Sequence, residues 1–378
     1  MKNLFDYLKA SGNNYFSKKT PLNEIDSLIF ARFAYLPFKK LRVSPNNKTI
    51  SEIAKMMSGL SPKNFFQEDQ KMINALSVSP RFQNLFIVDY ADCANKKTTE
   101  QFTAITIQLT PDKLLISFIG TDDTVNGWRE TCNMALMDEV PSQKSAKKYV
   151  KNIIKQNPQA KIYLCGHSKG GNLAMYSACS LQSKYTSHIQ KVTSLDGPGL
   201  TKNAYKKIKS DAYSTRSQSR SIFNKITNYI PQGSIAGRLF FHAERSVVVK
   251  SANEKMFIQH NVYTWDVDLK TNTLVRTKST TASELVDKSI SQLIDGATKK
   301  QKKEFIDALF KILESSNFDT PPDIAAAGAG ALPELFSSYR KLEKPERKIV
   351  FRAFKKLAKL LIKENKKNKT QKKEKNKK

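Results

Sequence analysis

One pentapeptide limits what this chain can fold into: Gly166-His167-Ser168-Lys169-Gly170, which fits the pattern G-x-S-x-G. The sequence predicts a short apolar strand before it, over 161–165, and a helix after it, over about 171–183. A serine at such a place needs a sharp strand-to-helix turn, and flanking glycines prevent clashes where the chain doubles back. This context favours a nucleophilic Ser168 over a glycine-rich turn without chemistry.

Alternating strands and helices around the pentapeptide predict the fold class. The predicted strands are 102–109, 114–119, 161–165, 192–195, 222–230, 247–249 and 262–267, and the predicted helices are 21–37, 50–58, 143–156 and 171–183. Short apolar strands separated by helices indicate an α/β fold with a mostly parallel sheet, covered by helices on both faces.

A change of pattern near residue 280 predicts the domain organisation. From Thr281 onward the apolar spacing is helical only, over 283–294, 299–315, 329–341 and 346–362, with a connector containing Pro321, Pro322 and Ala325–Ala331. We therefore predict an α/β domain over 1–275 and a helical extension over 276–341. The remaining 342–378 is predicted to be a basic amphipathic helix with a disordered polybasic tail.

A serine nucleophile needs a base, and on this architecture the chain order is serine, acid, histidine. The chain has four histidines, of which His167 and His188 precede any later strand. His260 lies in a late loop, where the base belongs, and is favoured. His242 stays open as the alternative base, although it could equally be a core or loop histidine without a catalytic role.

The acid is sought between Ser168 and His260. The carboxylates in this interval are Asp196, Asp211, Glu244 and Glu254. Asp196 ends a predicted strand and opens the turn 197–199, at the carboxyl edge where open α/β sheets bind ligands. It is therefore the predicted acid, with a turn residue that bonds local amides as the alternative. Asp211 falls in a polar stretch that is predicted to be solvated.

An oxyanion site needs two donors. The turn points the Lys169 amide into such a site, and a second donor is expected from a loop after an earlier strand. Thr121 follows the strand 114–119 through Gly120, whose lack of a side chain permits close approach. An Asx-type turn explains Thr121 equally well. Trp128 and Arg129 are interpreted as packing and surface residues.

Several segments in this order resemble the lipase-like α/β-hydrolases, and more narrowly their bacterial Mbeg-like branch (the DUF2974 family). The segments are Phe118-Ile119-Gly120-Thr121-Asp122-Asp123, Gly127-Trp128-Arg129-Glu130, the elbow with Gly171-Asn172-Leu173-Ala174, Leu195-Asp196-Gly197-Pro198-Gly199, Tyr229-Ile230-Pro231-Gln232-Gly233-Ser234, and Gln259-His260 with Trp265. The resemblance covers about residues 15–270. It implies an α/β-hydrolase fold and a Ser168-Asp196-His260 triad, with Thr121 and Lys169 at the oxyanion site.

The resemblance also implies hydrolysis of a carboxylic ester, from a small molecule or an acyl lipid, without a cofactor. One departure concerns the acid. Class-3 lipases place it just before a Val-Pro pair, where this chain has Asn228-Tyr229-Ile230-Pro231. The acid is therefore Asp196 or is absent, and its absence would favour a binding protein on a hydrolase fold.

About half of the formal net charge of +30 lies near the end of the chain, and about half belongs to the rest. Residues 340–378 hold 18 Lys+Arg and 4 Glu, a net +14, which leaves 30 − 14 = +16 for the other residues. Apolar residues recur there at helical spacing between cations: Ile349, Val350, Phe351, Phe354, Leu357, Ala358, Leu361 and Ile362. Two interpretations stay open: a helix and tail at an anionic membrane surface, or a packed helix with a solvated tail. Nucleic acid is a weaker partner, since no recognisable RNA or DNA module is present.

Four dispersed cysteines and four histidines offer no metal-ligand spacing, so no metal is expected. The N-terminal residues lack the apolar run of a secretory signal, and no apolar stretch approaches the length that spans a bilayer. The sequence therefore predicts a cytoplasmic location, with the tail as the means of peripheral association at the inner face of the membrane.

Overall fold

A computed structural model of the chain describes residues 1–66, 68–122, 124–212, 222–256, 258–318, 323–324 and 327–375. For 211–212 and 367–375 it describes the backbone alone. Asp123, the side chain of Asp211, Pro321, Pro322 and residues 325–326 of the predicted connector lie outside this description.

Four helices precede the first strand, strands and helices then intersperse, and the chain ends in helices. The strands are β1 (Phe86–Asn95), β2 (Glu100–Thr110), β3 (Lys113–Phe118), β4 (Lys161–His167), β5 (Ile189–Leu195), β6 (Ile226–Pro231), β7 (Arg245–Val249), β8 (Val267–Asp268) and β9 (Thr273–Leu274). The helices are α1 (Leu4–Ser11), α2 (Glu24–Phe33), α3 (Ile50–Met57), α4 (Asp69–Ser77), α5 (Val125–Asn133), α6 (Pro141–Gln156), α7 (Lys169–Ser180), α8 (Ser183–Thr186), α9 (Lys202–Ala212), α10 (Thr281–Asp295), α11 (Lys299–Glu314), α12 (Leu332–Lys341) and α13 (Lys344–Lys375).

Several helices begin where a short polar side chain can replace a missing acceptor. In each case the side chain of the N-cap residue accepts the backbone N–H three residues ahead, and the side chain at that position accepts the backbone N–H of the N-cap residue. The N-cap residues are Asn3, Asn23, Thr49 and Thr298. Such capping boxes satisfy donors that the first helical turn leaves open. These local signals explain why the helices after them begin at these residues.

The chain divides into two compact units, of which the first contains residues 1–120 and 141–278. Its main sheet has seven strands in the order β1-β2-β3-β4-β5-β6-β7. The pairs β1–β2 and β2–β3 are antiparallel, and every later neighbouring pair is parallel. The predicted mostly parallel α/β sheet is therefore confirmed.

Helices cover both faces of this sheet, as the side chains of β2 show. Ile105 and Ile107 lie in one buried cluster with Phe30 of α2. Between them, the Thr106 hydroxyl is 2.8 Å from the Tyr149 hydroxyl of α6. Since successive strand residues point to opposite faces, α2 and α6 pack on opposite sides. All carboxyl ends of β3 to β7 meet at one edge, where the loops carry the residues of interest.

The second unit contains residues 121–140 and 279–378. Within it, α5 packs on α11 through a buried cluster. Its buried residues are Ile306, Phe310 and Leu313 of α11, and the partly buried residues that pack against them include Val125, Trp128, Cys132 and Leu136. Trp128 is thus a packing residue, as predicted. Arg129 reaches Asp307 at 3.3 Å and lies over the Phe310 ring, so it is an ion-pair partner of α11 rather than a plain surface residue.

Three differences from the predicted elements have local causes. The run 262–267, predicted as a strand, is a single helical turn at Val262–Thr264, followed by the two residues of β8. Strand β1 escaped prediction because its outer half is exposed and polar. Helix α13 continues past the predicted end at 362, through residues without Gly or Pro. In the described residues, each helix is too short or too polar to cross a bilayer.

Candidate active site

Ser168 occupies the sharp turn between β4 and α7. Its φ and ψ angles of 58° and −130° lie in a region that residues with a side chain rarely adopt. The Ser168 N–H donates to the Leu195 carbonyl of the neighbouring strand at 2.9 Å, which holds the turn against β5. The side chain is only half-buried. Local strain that the surrounding structure maintains is typical of functional sites.

The glycines of the pentapeptide are required by close backbone packing. A Cβ at Gly170 would lie 2.2 Å from the Phe118 carbonyl oxygen, and one at Gly166 would lie 2.2 Å from the Gly170 carbonyl oxygen. Real Cβ atoms do not approach backbone oxygens so closely. The pattern G-x-S-x-G therefore reflects helix α7 starting directly above β3 and β4.

Asp196 lies at the same edge, one strand further along. It is fully buried and has a positive φ of 52°, which aspartate tolerates better than most residues. Its Oδ1 accepts the Gly237 N–H at 2.9 Å. Its Oδ2 accepts the Ser234 hydroxyl at 2.5 Å and is 2.6 Å from Nδ1 of His260. Three groups from the loops after β6 and β7 therefore converge on one carboxylate.

His260 completes a pair with Asp196 and keeps contact with solvent. Its side chain is 33% exposed, whereas that of Asp196 is 0% exposed. Because a carboxylate only accepts, Nδ1 of His260 is the donor, and Nε2 is left as the nitrogen that can take up a proton. This is the tautomer that a general base beside a serine requires.

The histidine inside the pentapeptide holds the backbone of His260. Nε2 of His167 donates to the His260 carbonyl at 2.8 Å, and the two imidazole centroids are 4.4 Å apart. The Tyr35 hydroxyl lies 3.3 Å from Nδ1 of His167 on the other side. Burial holds the pKa of His167 well below its usual value, with repulsion from His260 and Arg32 as smaller causes. His167 is therefore neutral, and its hydrogen bond connects the loop of His260 to the turn that carries Ser168.

Further hydrogen bonds fix the segment around His260. Gln259 accepts the Gly233 N–H through Oε1 at 2.7 Å, and its carbonyl accepts the Trp265 indole N–H at 2.9 Å. The Tyr263 hydroxyl donates to Asp69 at 2.6 Å. These bonds reach α4 and the loop after β6, so the imidazole is carried on a segment anchored at several points.

Lys169 follows Ser168 and is 0% exposed. Its ammonium donates to the Gln101 carbonyl at 2.8 Å and to the Gln101 side-chain oxygen. The side chain thus points into the fold. Its backbone amide lies in the first turn of α7, where N–H groups have no acceptor within the helix.

The other predicted oxyanion residue, Thr121, belongs to the second unit. Its hydroxyl is 2.7 Å from the Thr131 hydroxyl of that unit. The residue before it, Gly120, approaches the serine: a Cβ there would lie 3.1 Å from the Ser168 Cβ. Gly120 is thus the point of close approach that the sequence indicated, and a role for the Thr121 amide stays a prediction.

The other histidines have different partners. Nδ1 of His242 is 2.5 Å from Glu244, and Nδ1 of His188 is 3.3 Å from the Ala160 carbonyl. Sequence reasoning overlooked Ser234 and Gly237 as partners of Asp196. Ser234 belongs to a quoted segment, yet nothing in its spacing indicated that its hydroxyl reaches a residue 38 positions away. Among the described residues, no group of three or more His, Cys, Asp or Glu could hold a metal ion.

The sheet and the turn at its carboxyl edge define a lipase-like α/β-hydrolase fold. The chain belongs to the Mbeg1-like family, whose sequence model matches residues 76–311, more than half of the chain. No curated protein matches the sequence.

Solved structures with a similar chain trace include several lipases. A mono- and diacylglycerol lipase from Aspergillus oryzae is 12% identical, with 68% of this chain and 87% of that chain covered and a TM-score of 0.37. A Rhizomucor miehei lipase is 13% identical, with coverages of 69% and 74% and a TM-score of 0.37. Lip2 lipase from Yarrowia lipolytica is 12% identical, with coverages of 66% and 84% and a TM-score of 0.35.

Proposed function

We propose that the protein is a serine hydrolase of carboxylic esters, with Ser168, His260 and Asp196 as its triad. The observation that carries the proposal is the 2.6 Å hydrogen bond between Asp196 and His260, at the sheet edge where Ser168 occupies its strained turn. An acid, a base and a nucleophile in this chain order are what acyl transfer requires.

The proposed reaction has two halves. In the first, Nε2 of His260 takes the Ser168 hydroxyl proton while Oγ bonds to the ester carbonyl carbon, and that proton then passes to the leaving alcohol. In the second, water attacks the acyl-serine, His260 takes a water proton and returns it to Oγ, and a carboxylic acid leaves. Asp196 orients the imidazole and stabilises its charged form.

The tetrahedral intermediate carries negative charge on the former carbonyl oxygen. We assign its stabilisation to the backbone amides of Lys169 and Thr121. Donors of this kind each lower the barrier by about 3–4 kcal/mol, because they are already oriented when the charge develops. The Lys169 amide is well suited to this role, since its side chain is held in the fold by Gln101 and the first turn of α7 is electropositive.

The substrate class within the proposal is an ester of a small molecule or of an acyl lipid. The proposed location is the cytoplasm, because cysteine thiols persist in reducing compartments and the four cysteines of this chain, all within the described residues, form no disulfide with one another.

A fluorophosphonate probe tests the nucleophile. We expect covalent labelling of the wild-type protein and its loss in Ser168→Ala, because the probe reacts only with an activated serine. Ser183→Ala, at an exposed serine at the start of α8, is the matched control and should label as the wild type does. Hydrolysis rates of esters of graded acyl length, with Ser168→Ala as the blank, then show which acyl length the protein prefers.

Absent labelling of a folded wild-type protein, or equal labelling of Ser168→Ala, would contradict the hydrolase. The chain would then be a non-catalytic binding protein on a hydrolase fold, the alternative that the sequence left open.

A further inference from the structure

Helix α13 carries an apolar stripe that the described residues leave more than half exposed. Phe351, Phe354 and Ile362 are 59%, 54% and 58% exposed. At about 100° per residue, these positions fall within about 80° of one another around the helix axis. Single exposed apolar residues are ordinary on protein surfaces, but an aligned set on one helix marks an interaction surface.

The stripe adjoins the face by which α13 packs on the rest of its unit, and the two meet at Phe354, whose ring lies edge-on to the Phe305 ring of α11 with the centroids 6.3 Å apart. Val350 is 3% exposed, and Leu357 and Leu361 are half-buried. These residues lie on the side of α13 that packs along α10 and α11. The helix thus packs within the second unit through these residues, whereas Phe351, Phe354 and Ile362 each keep more than half of their side chain exposed.

Cations line the exposed stripe along one side. Arg352, Lys355, Lys359 and Lys363 are exposed and fall within the adjoining sector of about 80°. From Arg347 to Lys363 the sequence contains seven Lys+Arg and no acidic residue. The positive charge beside the apolar stripe is therefore not neutralised by acidic residues in this part of the helix.

We propose that this surface, defined by Phe351, Phe354, Ile362 and the four cations beside them, docks the protein on an anionic lipid bilayer. Aromatic and aliphatic side chains enter the boundary between headgroups and acyl chains, while adjacent Lys and Arg pair with anionic headgroups. Charge complementarity identifies the occupant, and the apolar stripe distinguishes a bilayer from a nucleic acid. A backbone of phosphates would use the cations and leave the phenylalanines and the isoleucine in water.

Flotation of the full chain with vesicles tests the proposal. We expect binding to vesicles of phosphatidylcholine with 30% phosphatidylglycerol, weak binding to pure phosphatidylcholine, and weaker binding as salt rises. Lys355→Gln/Lys359→Gln/Lys363→Gln should lower the partition coefficient about 100-fold. Phe351→Ala/Phe354→Ala/Ile362→Ala should lower it at least about tenfold.

Matched variants remove the same groups elsewhere. Lys96→Gln/Lys97→Gln/Lys148→Gln removes three exposed charges from the first unit, and Tyr15→Ala/Val43→Ala/Val78→Ala removes three exposed apolar side chains there. Both should bind anionic vesicles as the wild type does. Circular dichroism and thermal unfolding of all variants show that each is folded. Ser168→Ala should bind fully, so failure of docking and failure of the hydrolase are separate results.

Three outcomes would overturn the proposal. The first is equal loss of binding in the matched lysine variant, since net charge alone would then explain it. The second is duplex DNA binding tighter than vesicle binding and insensitive to the apolar triple variant. The third is a wild-type dimer that dissociates in the apolar triple variant, which would identify the stripe as a contact between two copies.

Discussion

Asp196 is the residue whose surroundings carry the most chemical information. It is fully buried, and its two carboxylate oxygens accept hydrogen bonds from Gly237, Ser234 and His260. A buried carboxylate without donors would be strongly unfavourable, so these groups both permit its charge and fix its orientation. Ser234 and Gly237 touch no substrate in the proposed reaction. They are positioning residues, which act on His260 through the carboxylate.

We predict that Asp196→Asn lowers kcat/KM for a p-nitrophenyl ester about 10⁴-fold. An amide in place of the carboxylate favours the wrong His260 tautomer and no longer stabilises the imidazolium. Steady-state hydrolysis by the folded variant measures the loss.

The matched control uses the other carboxylate–imidazole pair. Glu244 lies 2.5 Å from His242, so Glu244→Gln makes the same chemical change there. We expect its kcat/KM to stay within about twofold of the wild type. A larger loss in Glu244→Gln than in Asp196→Asn would make His242 the base.

His167 predicts a pH dependence of stability. Its pKa in the folded protein is lowered well below 6.5 by burial, so the unfolded chain binds this proton first as the pH falls. The stability that neutral His167 contributes is therefore complete above about 6.5 and is lost below it, until the pH reaches the lowered pKa. The slope is at most about 1.4 kcal/mol of unfolding free energy per pH unit.

Urea unfolding between pH 7.5 and 5 measures this slope. His167→Gln removes the titrating group, and we expect its slope to be smaller than that of the wild type over the same range. An identical slope in both proteins would show that other groups dominate acid destabilisation.

At the scale of elements, the junction of β4 and α7 is the least tolerant part of the fold. Gly170→Ala would place a Cβ 2.2 Å from the Phe118 carbonyl oxygen, and backbone on both sides would have to move. We expect it to lower the free energy of unfolding by at least about 3 kcal/mol, or to prevent folding.

Gly59→Ala is the control for this change. The nearest atom to a Cβ at Gly59 is the Met56 carbonyl oxygen at 3.9 Å, an ordinary contact. Thermal unfolding should separate the two variants clearly. Comparable unfolding midpoints would mean that the junction relaxes more easily than its packing indicates.

Elements were predictable where a local pattern and the tertiary environment agree. Strand β4 is apolar and buried, and the glycine-flanked serine that follows it indicates where the strand ends. The run 262–267 alternates in the manner of a strand, but Asn261 caps the Tyr263 N–H at 3.1 Å and closes a helical turn instead. The indole of Trp265 then donates to Gln259. Side-chain hydrogen bonds thus override a short alternating pattern.

At the scale of the whole molecule, the two units interleave along the chain. Residues 121–140 lie between segments of the first unit, yet they belong to the unit formed by 279–378. Sequence alone assigns them to a continuous domain over 1–275, because they stand between its strands. If the first domain were continuous over 1–275, a fragment with these residues would be as stable as it is in the full chain. The cluster around Trp128 predicts instead that such a fragment is destabilised, because it lacks α11.

We predict that the fragment 1–278 is less stable than the full chain. Without α11, Val125, Trp128, Cys132 and Leu136 lose the partners Ile306, Phe310 and Leu313. Exposed apolar side chains cost stability and promote aggregation. Thermal unfolding and binding of the dye ANS should both report the change. Removal of 367–378 alone leaves this cluster intact and should preserve the unfolding midpoint.

The sequence by itself determined the strand–turn–helix around Ser168 and narrowed the acid and base to a few residues. The first follows from local geometry, because neighbouring residues control a strand–turn–helix junction. The second follows from chain order, because the acid and the base come after the serine on this architecture. Only the tertiary structure decided that Ser234, Gly237 and His260 share one carboxylate, and that His167 holds the His260 backbone. The same is true of residues 121–140, which join the second unit. These contacts join residues far apart in the chain, and packing at one sheet edge and on one helix decides which of them meet.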